Sequence, residues 1–280
     1  MPGYVAAIVL FAALVHALWN ALLKNSGDTR LTTIMITSAA GILSAAILPF
    51  LPAPSRESWP FLTASSITQV AYFTLLAAAY RAGDMSHSYP IMRGTAPLIV
   101  ASVSAWLIGE HLSGSEWLGV ALICLGVLGL ALRGGDIALR HRTATLLALA
   151  NAVVIACYTL IDGLGVRRSH APLAYTLWIY VLNGSVLLIW TLAQRPRELR
   201  DYVRGRIGVG LVAGVGAMTS YGLALWAMTL APVALVAALR ETSIIFATLL
   251  STIFLKERIT ADRLLAIALI AGGAVALRLS

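Results

Sequence analysis

The chain has 280 residues, of which 59% are hydrophobic and only 11% charged, with a net charge of +8. Soluble domains carry about 25% charged residues, so this depletion excludes an ordinary water-soluble protein and points to a bilayer. The basic residues punctuate apolar runs and make no continuous charged face, which excludes a nucleic-acid partner.

Ten apolar runs tile the chain, at 3–23, 31–50, 59–80, 85–108, 116–132, 143–163, 172–193, 207–228, 232–255 and 264–279. They are apolar on consecutive residues, as in LLAIALIAGGAVALRL, so they predict helices and not the alternating strands of a membrane barrel. Gly and Ala recur inside them, which lets helix backbones approach closely in lipid. The expected fold is an all-α polytopic membrane protein with ten transmembrane helices.

The first run has no basic leader before it and reads as a retained helix, not a signal peptide. It carries His16 and Asn20 on one face, with Trp19 beside them. His16 either exchanges a proton near its ordinary pKa of about 6.5 or sits hydrogen-bonded in packing. In the third run Gln69, Tyr72 and Tyr80 recur at near-helical spacing, as cavity walls or as core.

The fourth run holds SYPIMRGTAPL, with Arg93 deep in an apolar stretch. An intramembrane charge faces a cavity or a partner. Arg93 is therefore either an anchor for an anion, through its planar fork of donors, or one half of a structural pair with an acid such as Glu241 or Asp84. Ser86, Tyr89, Pro90, Ala96, Pro97 and Val100 share its side of the helix. Pro90 and Pro97 are expected to free carbonyls and bend the helix, and Tyr89 to contact substrate or fill core. Asp84 and His87 enter this helix, and Glu110 follows it as a gate or interface residue.

Cys124 and Cys157 lie within runs, away from metal-ligand spacing, and read as packing residues. Asp162 comes near the end of the sixth run, where it is a candidate for proton coupling. The loop QRPRELRDYVRGR (194–206) reads as a basic interfacial segment. Tyr221 and Trp226 in the eighth run are candidate cavity walls, and Pro232 opens the ninth, which carries Arg240 and Glu241 and ends at Glu257.

A shift of 147 residues places Arg93 on Arg240, Thr95 on Thr242, Glu110 on Glu257 and Gly126 on Gly273. The expected units are therefore residues 1–135 and 136–280, five helices each. Five is odd, so the units enter the membrane in opposite orientations, the arrangement that lets secondary transporters alternate access.

These paired features resemble the drug/metabolite transporter superfamily, in its members with two EamA-type domains. The Trp19-Asn20 element, the small-residue fourth and ninth helices, Glu110, Glu257 and the glycine-rich fifth and tenth helices carry the resemblance. It implies a carrier for small organic metabolites, often an exporter, with both termini in the cytoplasm. The fourth helix also resembles a YPIxRGxxPL-like pattern in a subgroup associated with phosphonate utilisation. Charge distribution argues for the reverse orientation: fourteen of the twenty Lys and Arg lie in odd-numbered loops, which puts those loops in the cytoplasm and the termini outside.

The expected function is a secondary active or facilitative transporter, an exporter of a small anionic or zwitterionic metabolite, in a bacterial inner membrane. Its expected partners are that molecule, the bilayer and a coupling proton, as monomer or homodimer. The alternatives are a non-transporting scaffold or regulator and an integral-membrane enzyme. No P-loop, HExxH or GxSxG motif occurs, and no cofactor or metal is expected. The candidate transport residues are His16, Trp19, Asn20, Tyr72, Tyr80, Tyr89, Arg93, Tyr221, Trp226, Arg240 and Glu241, with Pro90, Pro97, Glu110 and Glu257 as gating or structural positions.

Overall fold

The computed structural model describes residues 1–23, 28–131, 142–255 and 260–280, and among them every regular element is helical. Helix α1 (Gly3–Leu23) is followed by α2 (Thr29–Ile47), α3 (Trp59–Ala82), α4 (Met85–Leu107) and α5 (Gly114–Gly129). Then come α6 (Arg142–Ser169), α7 (Pro172–Gln194), a short α8 (Pro196–Val203) and α9 (Ile207–Met228). The last three are α10 (Val233–Arg240), α11 (Ser243–Leu255) and α12 (Ala261–Leu279).

Local chemistry sets the helix starts. The Asp28 carboxylate accepts from the N–H groups of Arg30 at 2.8 Å and Leu31 at 3.0 Å, capping α2. Ser113 and Glu116 form a capping box on α5. Proline sits in the first turn of α3, α7 and α8, where its missing N–H costs nothing. Helix α4 runs on through Pro90 and Pro97 as one continuous helix.

Among the described residues, seven helical stretches are long and apolar enough to cross a membrane: 3–21, 30–50, 56–82, 142–169, 172–194, 207–228 and 233–253. The chain is thus an all-α polytopic membrane protein. Of the other expected spans, α5 has only 16 residues, α4 is diluted by Arg93, His87 and several serines, and α12 carries Asp262, Arg263 and Arg278. Large apolar side chains such as Ile67, Trp106, Ile189, Ile253 and Leu265 point outward, as hydrocarbon allows.

Two runs differ from their expected course. Helix α6 continues six residues past the expected end at 163 and is about 42 Å long at 1.5 Å per residue. The ninth run is not one regular helix. At Glu241 and Thr242 the ladder tightens to i→i+3 bonds, from Glu241 N–H to the Ala238 carbonyl (3.0 Å) and from Thr242 N–H to the Leu239 carbonyl (3.2 Å).

The main packed pairs are α5 with α12, α3 with α6, α2 with α7 and α1 with α9, while α4 lies against α5, α6 and α10. Residues 233–239 of α10 are all buried, so this short helix is the middle of the core. Glycines set the closest approaches. A methyl group added at Gly273 would lie 2.6 Å from the Gly119 carbonyl oxygen, and one at Gly126 would lie 2.9 Å from that of Ala266. Likewise one at Gly184 would meet the Thr37 carbonyl at 2.6 Å, and one at Gly41 the Tyr180 carbonyl at 2.9 Å. Helices α2 and α7, and α5 and α12, therefore touch backbone to backbone.

Candidate functional site

Helices α4, α6 and α10 meet at a small cavity lined by Arg93, Ala96, Pro97 and Val100, by Ile155, Tyr158 and Thr159, and by Ala237, Arg240 and Glu241. The expected face of α4 around Arg93 supplies its share. The space is about 20 Å³, room for about one water and no organic metabolite.

Arg93 is held by Glu241 in a two-pronged pair. Its Nε donates to Glu241 Oε2 at 3.0 Å, and its Nη2 lies 2.9 Å from Oε1. The side chains are 13% and 5% exposed, so this is a buried, charge-assisted contact between α4 and the tightened turn that follows α10. Tyr72, Tyr89 and Tyr158 surround Arg93 within electrostatic reach. The Tyr72 and Tyr158 rings meet edge to face at 5.9 Å, and Tyr80 stands near Tyr89.

Arg240, the counterpart of Arg93 at the 147-residue shift, is arranged differently. Its guanidinium lies 5.2 Å from the centre of the Tyr221 ring. Among the described residues it makes no hydrogen bond and no ion pair. Sequence symmetry made the two arginines look alike, but Glu241 faces Arg93 across the helix interface while following Arg240 in its own chain. Adjacent helical residues point apart.

Tyr221 leads to a second cluster. Its hydroxyl donates to Asp162 Oδ2 at 2.5 Å, and the Tyr175 hydroxyl donates to Oδ1 at 3.2 Å. Asp162 is 0% exposed. Tyr180 packs edge-on to Tyr221 at 6.5 Å and donates to the Ala217 carbonyl at 2.8 Å.

His16 reaches the same centre electrostatically, near Arg93 and Arg240, and its ring packs edge-on against Trp19 at 5.2 Å. Trp19 turns to α9, where a methyl group added at Gly216 would meet its Cβ at 2.9 Å. Asn20 is exposed, and its amide folds back onto the His16 carbonyl at 2.7 Å, so it does not share the centre. Trp226 is half-buried in α9 and is not part of the cavity wall.

Glu110 has a separate role. Both its oxygens accept from the Val233 N–H, at 3.0 and 2.9 Å, which caps α10. Arg167 Nη2 reaches Glu110 at 2.6 Å and the Ala231 carbonyl at 2.9 Å, and its Nε donates to the Met228 carbonyl at 2.7 Å. This clamp ties the α9–α10 turn to α6 and to the segment after α4. Glu257 lies outside the described residues.

Asn151, Tyr158 and Arg167 were not singled out by the sequence, and Asp162 only as a candidate for proton coupling. Asn151, Tyr158 and Asp162 lie on one face: with Ile155 they recur at i, i+4, i+7 and i+11, a single face of α6 that the sequence pattern displays.

Two consecutive matches to the model of the EamA-like transporter family cover residues 2–132 and 142–279. The chain belongs to that family. It is a membrane-embedded secondary transporter for a small molecule, of the drug/metabolite type, and not an enzyme. A stretch of 89 residues is 32% identical to uncharacterized protein y4nH of Sinorhizobium fredii (strain NBRC 101917 / NGR234), spanning 30% of this chain and 75% of that protein. A solved structure titled "Crystal structure of protein" superposes with a TM-score of 0.76 over 99% of this chain and 96% of its own, at 20% identity, a likeness of fold.

Proposed function

We propose that this member of the family is a secondary active or facilitative exporter of a small anionic or zwitterionic metabolite, in a bacterial inner membrane. The observation that carries the substrate charge is Arg240, a guanidinium at the wall of the small cavity with no hydrogen-bond or ionic partner among the described residues. Arginine stays charged and presents a donor fork that fits carboxylate, phosphate or phosphonate. The Tyr221 ring packs against it, His16 lies near both arginines, and Tyr72, Tyr80 and Tyr89 supply polar edges around Arg93.

The mechanism is alternating access between two inverted five-helix units, residues 1–135 and 136–280. Helices α1–α5 form one unit. The other comprises α6, α7, α9, the interrupted α10–α11 span, and α12. The packing supports this reading. Pairing α1 with α9 mirrors pairing α6 with α3, while α2/α7 and α5/α12 are self-paired. The glycine contacts are reciprocal too: Gly126 against Ala266 becomes Gly273 against Gly119 when the units are exchanged. Gly41 against Tyr180 and Gly184 against Thr37 follow the same rule at a shift of 143.

A flux screen in proteoliposomes with methylphosphonate, glutamate and choline tests the proposal. The anions move and choline does not. Arg240→Gln removes a charged hydrogen-bond donor, a loss of about 1.5–3 kcal/mol, or roughly 10- to 150-fold in binding. If Arg240→Gln and Arg93→Gln both leave binding and flux intact, the anion reading fails.

A further inference from the structure

We infer that Asp162 is a proton-binding site linked to the charge state of Arg240, so that the carrier moves one proton together with each singly charged anion. The inference rests on the anion reading for its substrate half, and on the cluster around Asp162 for its proton half.

Asp162 is a fully buried carboxylate that the anion site does not use. The groups facing it are Tyr175 of α7, Tyr221 of α9 and Ser65 of α3. Tyr158, one turn back on α6, and Arg240 of α10 act on it electrostatically. Arg93 of α4 and Glu241 lie farther off, around Tyr158. Arg167 and Glu110 are occupied with each other and with backbone at the far end of α6.

The charges in this assembly are Arg93, Arg240, Glu241 and Asp162, and they cancel when all four are ionised. Arg93 and Glu241 neutralise each other directly. Arg240 and Asp162 do so through Tyr221, whose ring lies under the guanidinium and whose hydroxyl holds the carboxylate. A neutral His16 leaves this balance unchanged. A buried site of low dielectric disfavours net charge. An anion arriving on Arg240 leaves the site one unit negative, and a proton on Asp162 restores neutrality. The step is a protonation: one O–H bond forms on a carboxylate oxygen, with the proton drawn from water on the loading side and returned on the other. Protonated Asp162 becomes a donor, so one of the hydroxyls facing it, Tyr221, Tyr175 or Ser65, turns to accept. Where that hydroxyl is Tyr221, the change reaches the ring against which Arg240 lies.

The linkage is testable without any substrate. Infrared difference titration of purified protein reads the protonated-carboxyl band. The chain has other carboxyl groups, the buried Glu241 among them, so the signal is read as the wild-type minus Asp162→Asn difference, in which one titrating carboxyl is expected. In Arg240→Gln, where the cation is removed as a bound anion would mask it, the protonated-to-ionised ratio at fixed pH rises roughly tenfold. Tyr221→Phe, which keeps the ring and removes the hydroxyl, shifts the same band and serves if Asp162→Asn fails to fold. An Asp162→Asn protein that loses no titrating band, or a difference band that ignores both Arg240→Gln and Tyr221→Phe, overturns the inference. Proteoliposomes that move methylphosphonate or glutamate without alkalinising the supply side also overturn it. If neither anion moves, the anion reading fails, and the ligand-free titration still decides the linkage.

Discussion

Replacing Glu241 by Gln keeps the shape of the α4–α10 contact and removes its charge. Arg93 then stays 13% exposed with no counter-ion, and Arg240 nearby is no longer screened. Removing one partner of a buried ion pair costs about 3–5 kcal/mol. The three phenols around Arg93 soften the loss, which argues for the lower end, about 3 kcal/mol. For a chain of this size each kcal/mol moves the melting temperature by roughly 2–4 °C, so the expected drop is about 6–12 °C. The assay is fluorescence-monitored thermal unfolding in detergent for Glu241→Gln, Arg93→Met and the double variant. The double variant should recover most of the loss, because two neutral side chains of similar volume leave no stranded charge. A Glu241→Gln protein within about 2 °C of wild type, or a double variant that loses the sum of the two singles, refutes the reasoning.

Adjacent glycines in α12 should behave oppositely. Gly272→Ala meets nothing within 4 Å and should be neutral or gain about 1 kcal/mol of helix propensity, whereas Gly273→Val drives its first carbon to 2.6 Å from a backbone oxygen and should abolish monodisperse protein in size-exclusion chromatography. Glu110→Ala should release the N-terminus of α10, a cap worth about 0.5–2 kcal/mol, and hydrogen exchange should quicken at Val233 and Leu235 while the middle of α6 is unchanged.

The apolar runs were legible because membrane helices have to satisfy every backbone group internally, so their lengths are written in hydropathy. The starting residues of α2, α3, α7 and α9 fell within two of expectation for that reason. The tightened turn at Glu241 was not legible, since the apolar residues on either side leave hydropathy unbroken. Arg93 was identifiable as an exception, and Glu241 was correctly named among its potential partners, because a buried cation requires an answer from somewhere. The asymmetry between Arg93 and Arg240 depended on which helix Glu241 faces, a property of packing and not of order along the chain. Asp162 was set at a helix end because hydropathy falls at the following glycines and arginines. Helix α6 continues through them to Ser169, which leaves the carboxylate well inside.

The backbone contacts of α5 with α12 have a mechanical consequence. At Gly119, Gly126 and Gly273 the seam has no rotamer of its own to reset, and the side chains that meet these glycines, Ile123, Ile270 and Leu277, are apolar. The arginines, tyrosines and carboxylates at the centre have partners to trade, and the seam has none. Under the proposed alternating access it is suited to be the axle, the line about which two rocking halves would turn while the exchange of polar partners takes place elsewhere.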